Sequence, residues 1–164
     1  MPLAVNIGEA AAADWPRIWA VLDPVIRAGD TYALPQNWHE DKARSYWFQS
    51  GNEVFVADAD GNLVGTYYLR ANAMGGGSHV ANCGYMTAPA ARGKGVARAM
   101  CLHSLERAKS RGFHAMQFNF VVSSNTVAIK LWKDLGFTEI GRLPQAFRHP
   151  TLGLIDALVM HRLL

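Results

Sequence analysis

Cysteine is scarce in this chain of 164 residues: Cys83 and Cys101 are the two, both set in apolar patterns without metal-ligand spacing. They read as buried free thiols in a reducing compartment, and no metal site is expected. No apolar run approaches the roughly 20 residues that span a bilayer. The opening stretch MPLAVNIGEAAAADWPR has no basic segment followed by an apolar core, so no signal peptide is read there. A soluble, cytoplasmic protein without a membrane partner is the expectation. Nor does one sign of charge dominate, the formal net charge being +3. Lys and Arg are scattered from Arg17 to Arg162, which argues against a nucleic-acid partner. Repeats, low-complexity blocks and linkers are also missing, so residues 1–164 are read as one domain.

What is present is a folded composition, 50% hydrophobic and 18% charged, in which short strands interchange with helical segments. That is a mixed α/β, or α+β, pattern. Strand Leu3–Ile7 precedes a helix opened by Asp14, Trp15 and Pro16, with Ile18, Val21, Leu22, Val25 and Ile26 on one face. A loop, Gly29–Trp38, leads to a helix over His39–Gln49. Glu53–Asn72 reads as two strands joined at Asp60 and Gly61, and His79–Thr87 as another strand after the break MGGGS. A helix from Val96 to Arg111, a strand His114–Val122 and a helix Thr126–Leu135 follow. Two strands, near Thr138–Gly141 and Leu154–Arg162, close the order.

The stretch APAARGKGVARAM, Ala88–Met100, places two glycines and three basic residues between a strand and a helix. The first N–H groups of a helix lack internal partners and carry partial positive charge. Gly93 and Gly95 allow close backbone approach, and Arg92, Lys94 and Arg98 add formal charge. This suits a phosphate or pyrophosphate. It is not a P-loop, because Ala88 stands where the first glycine belongs and Gly95 follows Lys94. It is not a dinucleotide fingerprint either, because Arg98 occupies the position of the third glycine.

In these residues the chain resembles the GCN5-related N-acetyltransferase (GNAT) superfamily. The family marks its acyl-CoA site with [RQ]-x-x-G-x-[GA], and Arg92, Gly95 and Ala97 fill those positions. SSNTVAIKLWKDLGF, Ser123–Phe137, resembles the family's second characteristic segment, and the order of elements fits over the whole chain. The resemblance implies a twisted, mostly antiparallel sheet of about seven strands, splayed between the fourth and fifth and flanked by about four helices. It implies acetyl-CoA as cosubstrate and no metal. Pantetheine would meet the backbone of Met86 and Thr87, and the pyrophosphate the loop from Arg92 through Gly93, Lys94, Gly95, Val96 and Ala97, with Arg98 close by. Asn125 matches a residue that hydrogen-bonds the pantetheine arm, although a helix cap explains it equally. Homodimers are common among such proteins, so a homodimer is a further expectation.

Two departures bear on the chemistry. Many relatives carry a glutamate base on the fourth strand, and HVANCGYMT contains no carboxylate. Many carry a tyrosine acid where this chain has Trp132, whose indole is no acid at neutral pH and which either packs against pantetheine or joins the core. A backbone N–H at Met86 is then read as the oxyanion donor. Asp156, a lone acid in LGLIDALVM, either meets the substrate ammonium or anchors a loop. Asn119, on an apolar strand, either holds substrate or satisfies that strand. Tyr32 and Trp38 either wall the acceptor pocket or join the core, and Arg148 either pairs with an acceptor carboxylate or stays in solvent. The reading is direct acetyl transfer to a small-molecule amine, such as an amino acid or a toxic analogue. Acetylation of protein amino termini or lysines, and acyl-CoA binding without turnover, stand as alternatives.

Overall fold

Ile18, Val21, Leu22, Val25 and Ile26 are all buried in helix α1 (Trp15–Ala28), as their helical spacing predicts. They pack on one face of a sheet in the computed structural model, which describes residues 1–164. The strands are β1 (Asn6–Glu9), β2 (Glu53–Ala59), β3 (Asn62–Ala71), β4 (Val80–Thr87), β5 (Ala115–Val122), β6 (Thr138–His149) and β7 (Gly153–Leu163). Helix α2 (Glu40–Trp47) joins α1, while α3 (Val96–Ser110) and α4 (Thr126–Asp134) cover the opposite face. The strand order is β1-β2-β3-β4-β5-β7-β6, with every pair antiparallel except β4 and β5. No helix is long and apolar enough to cross a membrane.

Asp60 and Gly61 both take positive φ, +50° and +78°, and turn β2 into β3 as a two-residue hairpin. The two outermost strands depart from their sequence-based bounds. Residues before Asn6 leave the sheet, and the Leu3 N–H instead donates to the Lys94 carbonyl at 3.0 Å. β6 continues eight residues beyond Gly141, through Pro144, to His149. It is an edge strand, where a proline's missing N–H costs no ladder bond. Its pairing with β7 absorbs two register shifts and resumes at Phe147, which is buried. Cys83 and Cys101 are buried free thiols, and burial pushes them up to about 12 and about 11 respectively.

One close approach sets the middle of the sheet. Tyr68 on β3 pairs across from Gly84 on β4, and its ring lies over the glycine backbone. A Cβ at Gly84 would stand 2.5–2.8 Å from the ring carbons and hydroxyl of Tyr68. Trp47 packs edge-on against the same ring at 5.0 Å, so the ring has little room to retreat. Gly84→Ala is therefore expected to destabilise the fold by about 1–3 kcal/mol. Denaturant unfolding measures this directly, and an unchanged midpoint would show that the ring relaxes freely.

Candidate active site

β4 and β5 pair at two positions only, Val80 with Ala115 and Ala81 with Met116, and then diverge. Parity along β4 decides which backbone groups the divergence exposes. Asn72 N–H donates to the Val80 carbonyl and Ala88 N–H to the Val64 carbonyl, so even-numbered positions exchange bonds with β3. The odd positions Cys83, Tyr85 and Thr87 point their N–H and C=O groups toward the gap. This corrects the expectation for Met86, whose N–H faces its β3 partner Thr66 and whose side chain is buried against α1 and α2. Thr87 and Tyr85, not Met86, turn their peptide groups to the gap.

At the apex of the gap Asn82 replaces the missing ladder: its Nδ2 donates to the Gln117 carbonyl at 3.0 Å. Trp132 fills the floor. Its indole centroid lies 5.3 Å from Tyr85 on β4 and 5.1 Å from Phe118 on β5, so one ring packs against both diverging strands. The Tyr85 hydroxyl is anchored beneath by Ser104 Oγ at 2.7 Å. Above, the Tyr32 hydroxyl donates to the Tyr85 carbonyl at 2.7 Å and pins the α1–α2 loop to the strand.

The gap opens into a cleft of about 880 Å³, lined by the expected Tyr32, Met86, Thr87, Arg92, Gly93, Gly95, Val96, Ala97, Arg98, Asn119, Asn125 and Trp132. At its wide end the chain turns from β4 into α3. Gly95 caps the helix at φ +84°, a conformation that disfavours side chains. A Cβ there would face Pro2 at 3.4 Å, so its role is this backbone turn more than clearance for a ligand. The first α3 bond is Ala99 N–H to Gly95 C=O, and the N–H groups of Gly93, Gly95, Val96, Ala97 and Arg98 have no backbone acceptor. Arg92 and Lys94 are exposed beside them, and Arg98 meets Asp134 at 3.7 Å in solvent. Asn125 caps α4, accepting from Ala128 N–H at 3.3 Å.

The narrow end is polar on the α1/α2 side. Asn119 sits at a bulge in β5, accepts from Gln117 Nε2 at 2.9 Å and donates to Asn72 Oδ1 at 2.6 Å. Tyr46, Tyr68, Arg70 and Asn82 also line this end. The Tyr46 and Tyr68 hydroxyls are 3.4 Å apart, and burial raises the Tyr68 pKa, which keeps it protonated. Burial does the same for Tyr32. No carboxylate lines the cleft.

The acetyltransferase (GNAT) family model matches residues 15–137. The chain belongs to the GNAT family. A GCN5-related N-acetyltransferase structure from Kribbella flavida is 45% identical, covers 98% of both chains and superposes with a TM-score of 0.93. An N-acetyltransferase of Schizosaccharomyces pombe is 28% identical, over 82% of this chain and 72% of its own. An L-methionine sulfoximine/L-methionine sulfone acetyltransferase of Pseudomonas aeruginosa is 29% identical, over 87% of this chain and 86% of its own. The GNAT assignment makes the chain an acetyltransferase and the β4–β5 splay its fold's defining gap.

Within this GNAT site three residues take the structural one of their two sequence-based readings. Asp156 is not part of the cleft. Its carboxylate accepts from Gln145 N–H at 2.9 Å and Arg142 Nη1 at 3.2 Å, anchoring the turn where Gln145 takes φ +50°. Trp38 backs Tyr46 at 5.4 Å instead of lining the cleft. Arg148 is exposed on the edge strand β6. Sequence reading missed Tyr46, Tyr68, Arg70 and Asn82. The available signal was parity: Asn82 and Arg70 are polar residues on the face that Met86 and Tyr68 share.

The Gln145 N–H, then Arg142, hold the Asp156 pKa below its ordinary value of 3.8. A depressed carboxylate stabilises the fold above its ordinary pKa and loses that contribution as pH falls through the folded value. Asp156→Asn is expected to lower the melting temperature at pH 7, with the difference shrinking below pH 3.8. Acetyl transfer should stay within about threefold of wild type. A hundredfold loss of turnover in a folded variant would return Asp156 to the chemistry.

Proposed function

We propose that this GNAT enzyme takes acetyl-CoA as donor and transfers the acetyl group directly to the amine of a small molecule, an amino acid or an amino-acid analogue. The observation that carries the reading is the unpaired edge of β4, which runs into the free N–H groups at the start of α3. A pantetheine arm with two amides suits such an edge, and a pyrophosphate suits such a helix start. Asn82 to Thr87 spans about 17 Å of strand, room for an extended arm between the anion loop and the apex. The named activity of the Pseudomonas aeruginosa relative supports an amino-acid analogue as acceptor.

In this reading the acceptor nitrogen attacks the thioester carbonyl, the C–N bond forms, the C–S bond breaks and the thiolate leaves. The N–H groups of Tyr85 and Thr87, aimed into the gap, are the candidates to receive the developing oxyanion. Asn82 and Asn119, with the neutral hydroxyls of Tyr68 and Tyr46, orient the amine. None of these is a base at neutral pH, so the ammonium proton is lost to solvent before attack, and the second N–H proton leaves the tetrahedral nitrogen for solvent or the departing thiolate.

That proton balance gives the test. Release of free CoA, followed with a thiol reagent against amino acids and their analogues, should show turnover. For an acceptor whose ammonium pKa is near 10, kcat/KM should rise about tenfold per pH unit from 6 to 9. A plateau beginning near pH 6–7 would mean that an enzyme base has been overlooked. Trp132→Tyr should change turnover by less than about fivefold, since the indole packs the floor and donates no proton. A hundredfold loss with folding intact would assign Trp132 a direct role.

A further inference from the structure

We propose that Arg70 binds the carboxylate of the acceptor and thereby selects α-amino acids over simple amines; this rests on the acceptor reading above. Three arginines line the cleft, Arg70, Arg92 and Arg98. Arg92 and Arg98 belong to the anion loop at the wide end. Arg70 stands at the other end, paired with Asn82 where β4 leaves β5. Arg98, Arg107, Arg111 and Arg142 each meet a carboxylate of the chain, whereas Arg70 meets none.

Arg70 is nonetheless held in place. Its guanidinium carbon lies 5.1 Å above the centroid of the Tyr68 ring, and that ring is fixed by Gly84, Trp47 and Tyr46. Stacking leaves the in-plane N–H fork free for a planar, bidentate partner, which a carboxylate matches and an ammonium repels. The neighbouring groups complete an amino-acid frame. Arg70 and Asn82 are direct partners across β3 and β4, about 5.5 Å apart at Cα, similar to the spread of an amino acid's two charged ends plus one hydrogen bond. With the carboxylate on Arg70, the amine falls over Asn82 and Gly84, beside the gap-facing N–H groups of Cys83 and Tyr85. No carboxylate lines the cleft to compete for the guanidinium.

The experiment compares free α-amino acids, L-methionine sulfone among them, with their methyl esters as acceptors. It uses wild type and the variants Arg70→Met and Arg70→Lys. Wild type should prefer the free acids. Arg70→Met should lower kcat/KM for them by about 100-fold while changing the esters by less than threefold, with the KM for acetyl-CoA unchanged. Arg70→Lys should fall between, because it keeps the charge and loses the fork. Melting curves matching wild type confirm that both variants fold. Equal use of acids and esters by wild type, or a preference that survives Arg70→Met, overturns the assignment of Arg70 while leaving acetyl transfer standing. No turnover with acids or esters, although acetyl-CoA binds, overturns the acceptor reading itself and the role of Arg70 with it.

Discussion

The site depends on a single failure of pairing. After Ala81 and Met116 the parallel ladder between β4 and β5 stops, leaving the odd-numbered peptide groups of β4 without a β5 partner. Unpaired peptide groups inside a protein are costly, so the divergence persists only because other interactions fix its walls. Trp132 packs between Tyr85 and Phe118 and holds the two strands apart from one face. Asn82 satisfies the last β5 carbonyl at the apex from the other. The bulge in β5 between Phe118 and Val121 turns Asn119 toward Asn72, so the far wall also carries polar side chains.

The two faces of the sheet then divide the work. Below, α3 and α4 supply the helix start, the Asn125 cap and the aromatic floor, all features suited to a long, anionic, amide-bearing donor. Above, α1, α2 and the loop between them supply Tyr32, Tyr46 and the support for Tyr68. β4 serves both faces, since the strand's edge serves one and its even-numbered side chains serve the other. Gly84 is where this double use is tightest, because a side chain there would remove Tyr68 from the strand it covers.

Much of this was legible in the sequence. The glycine turn that opens α3, the Asn125 cap and the buried stripe of α1 depend on local rules: an unsatisfied helix start, a side-chain acceptor, a 3.6-residue period. Choosing Met86 over Tyr85 needed something no local rule supplies. Alternation says that adjacent residues differ, but only the register against β3 says which of the two keeps its N–H free. Asp156 kept two readings for a related reason. An acid in an apolar run demands a partner, and the partners are Gln145 and Arg142, 11 and 14 residues away across the β6–β7 pair, rather than a ligand. Arg70 and Tyr68 looked like ordinary strand residues because their significance lies in what Gly84, on the next strand, leaves out.

A cleft without a carboxylate is a constraint on chemistry as well as an absence from a pattern. A base close to the thioester would shift the acceptor toward its reactive neutral form, but it would also add negative charge beside a leaving thiolate. Amides and neutral hydroxyls add none, and burial keeps Tyr68 and Tyr32 in that neutral state. What such a site offers is orientation: two peptide N–H groups on β4, one buried amide at Asn82 and one stacked guanidinium at Arg70, each fixed by packing before any substrate arrives. Tyr32 adds the last link. Its hydroxyl holds the α1–α2 loop on the Tyr85 carbonyl, so the strand edge that would receive the donor also positions the wall that would meet the acceptor.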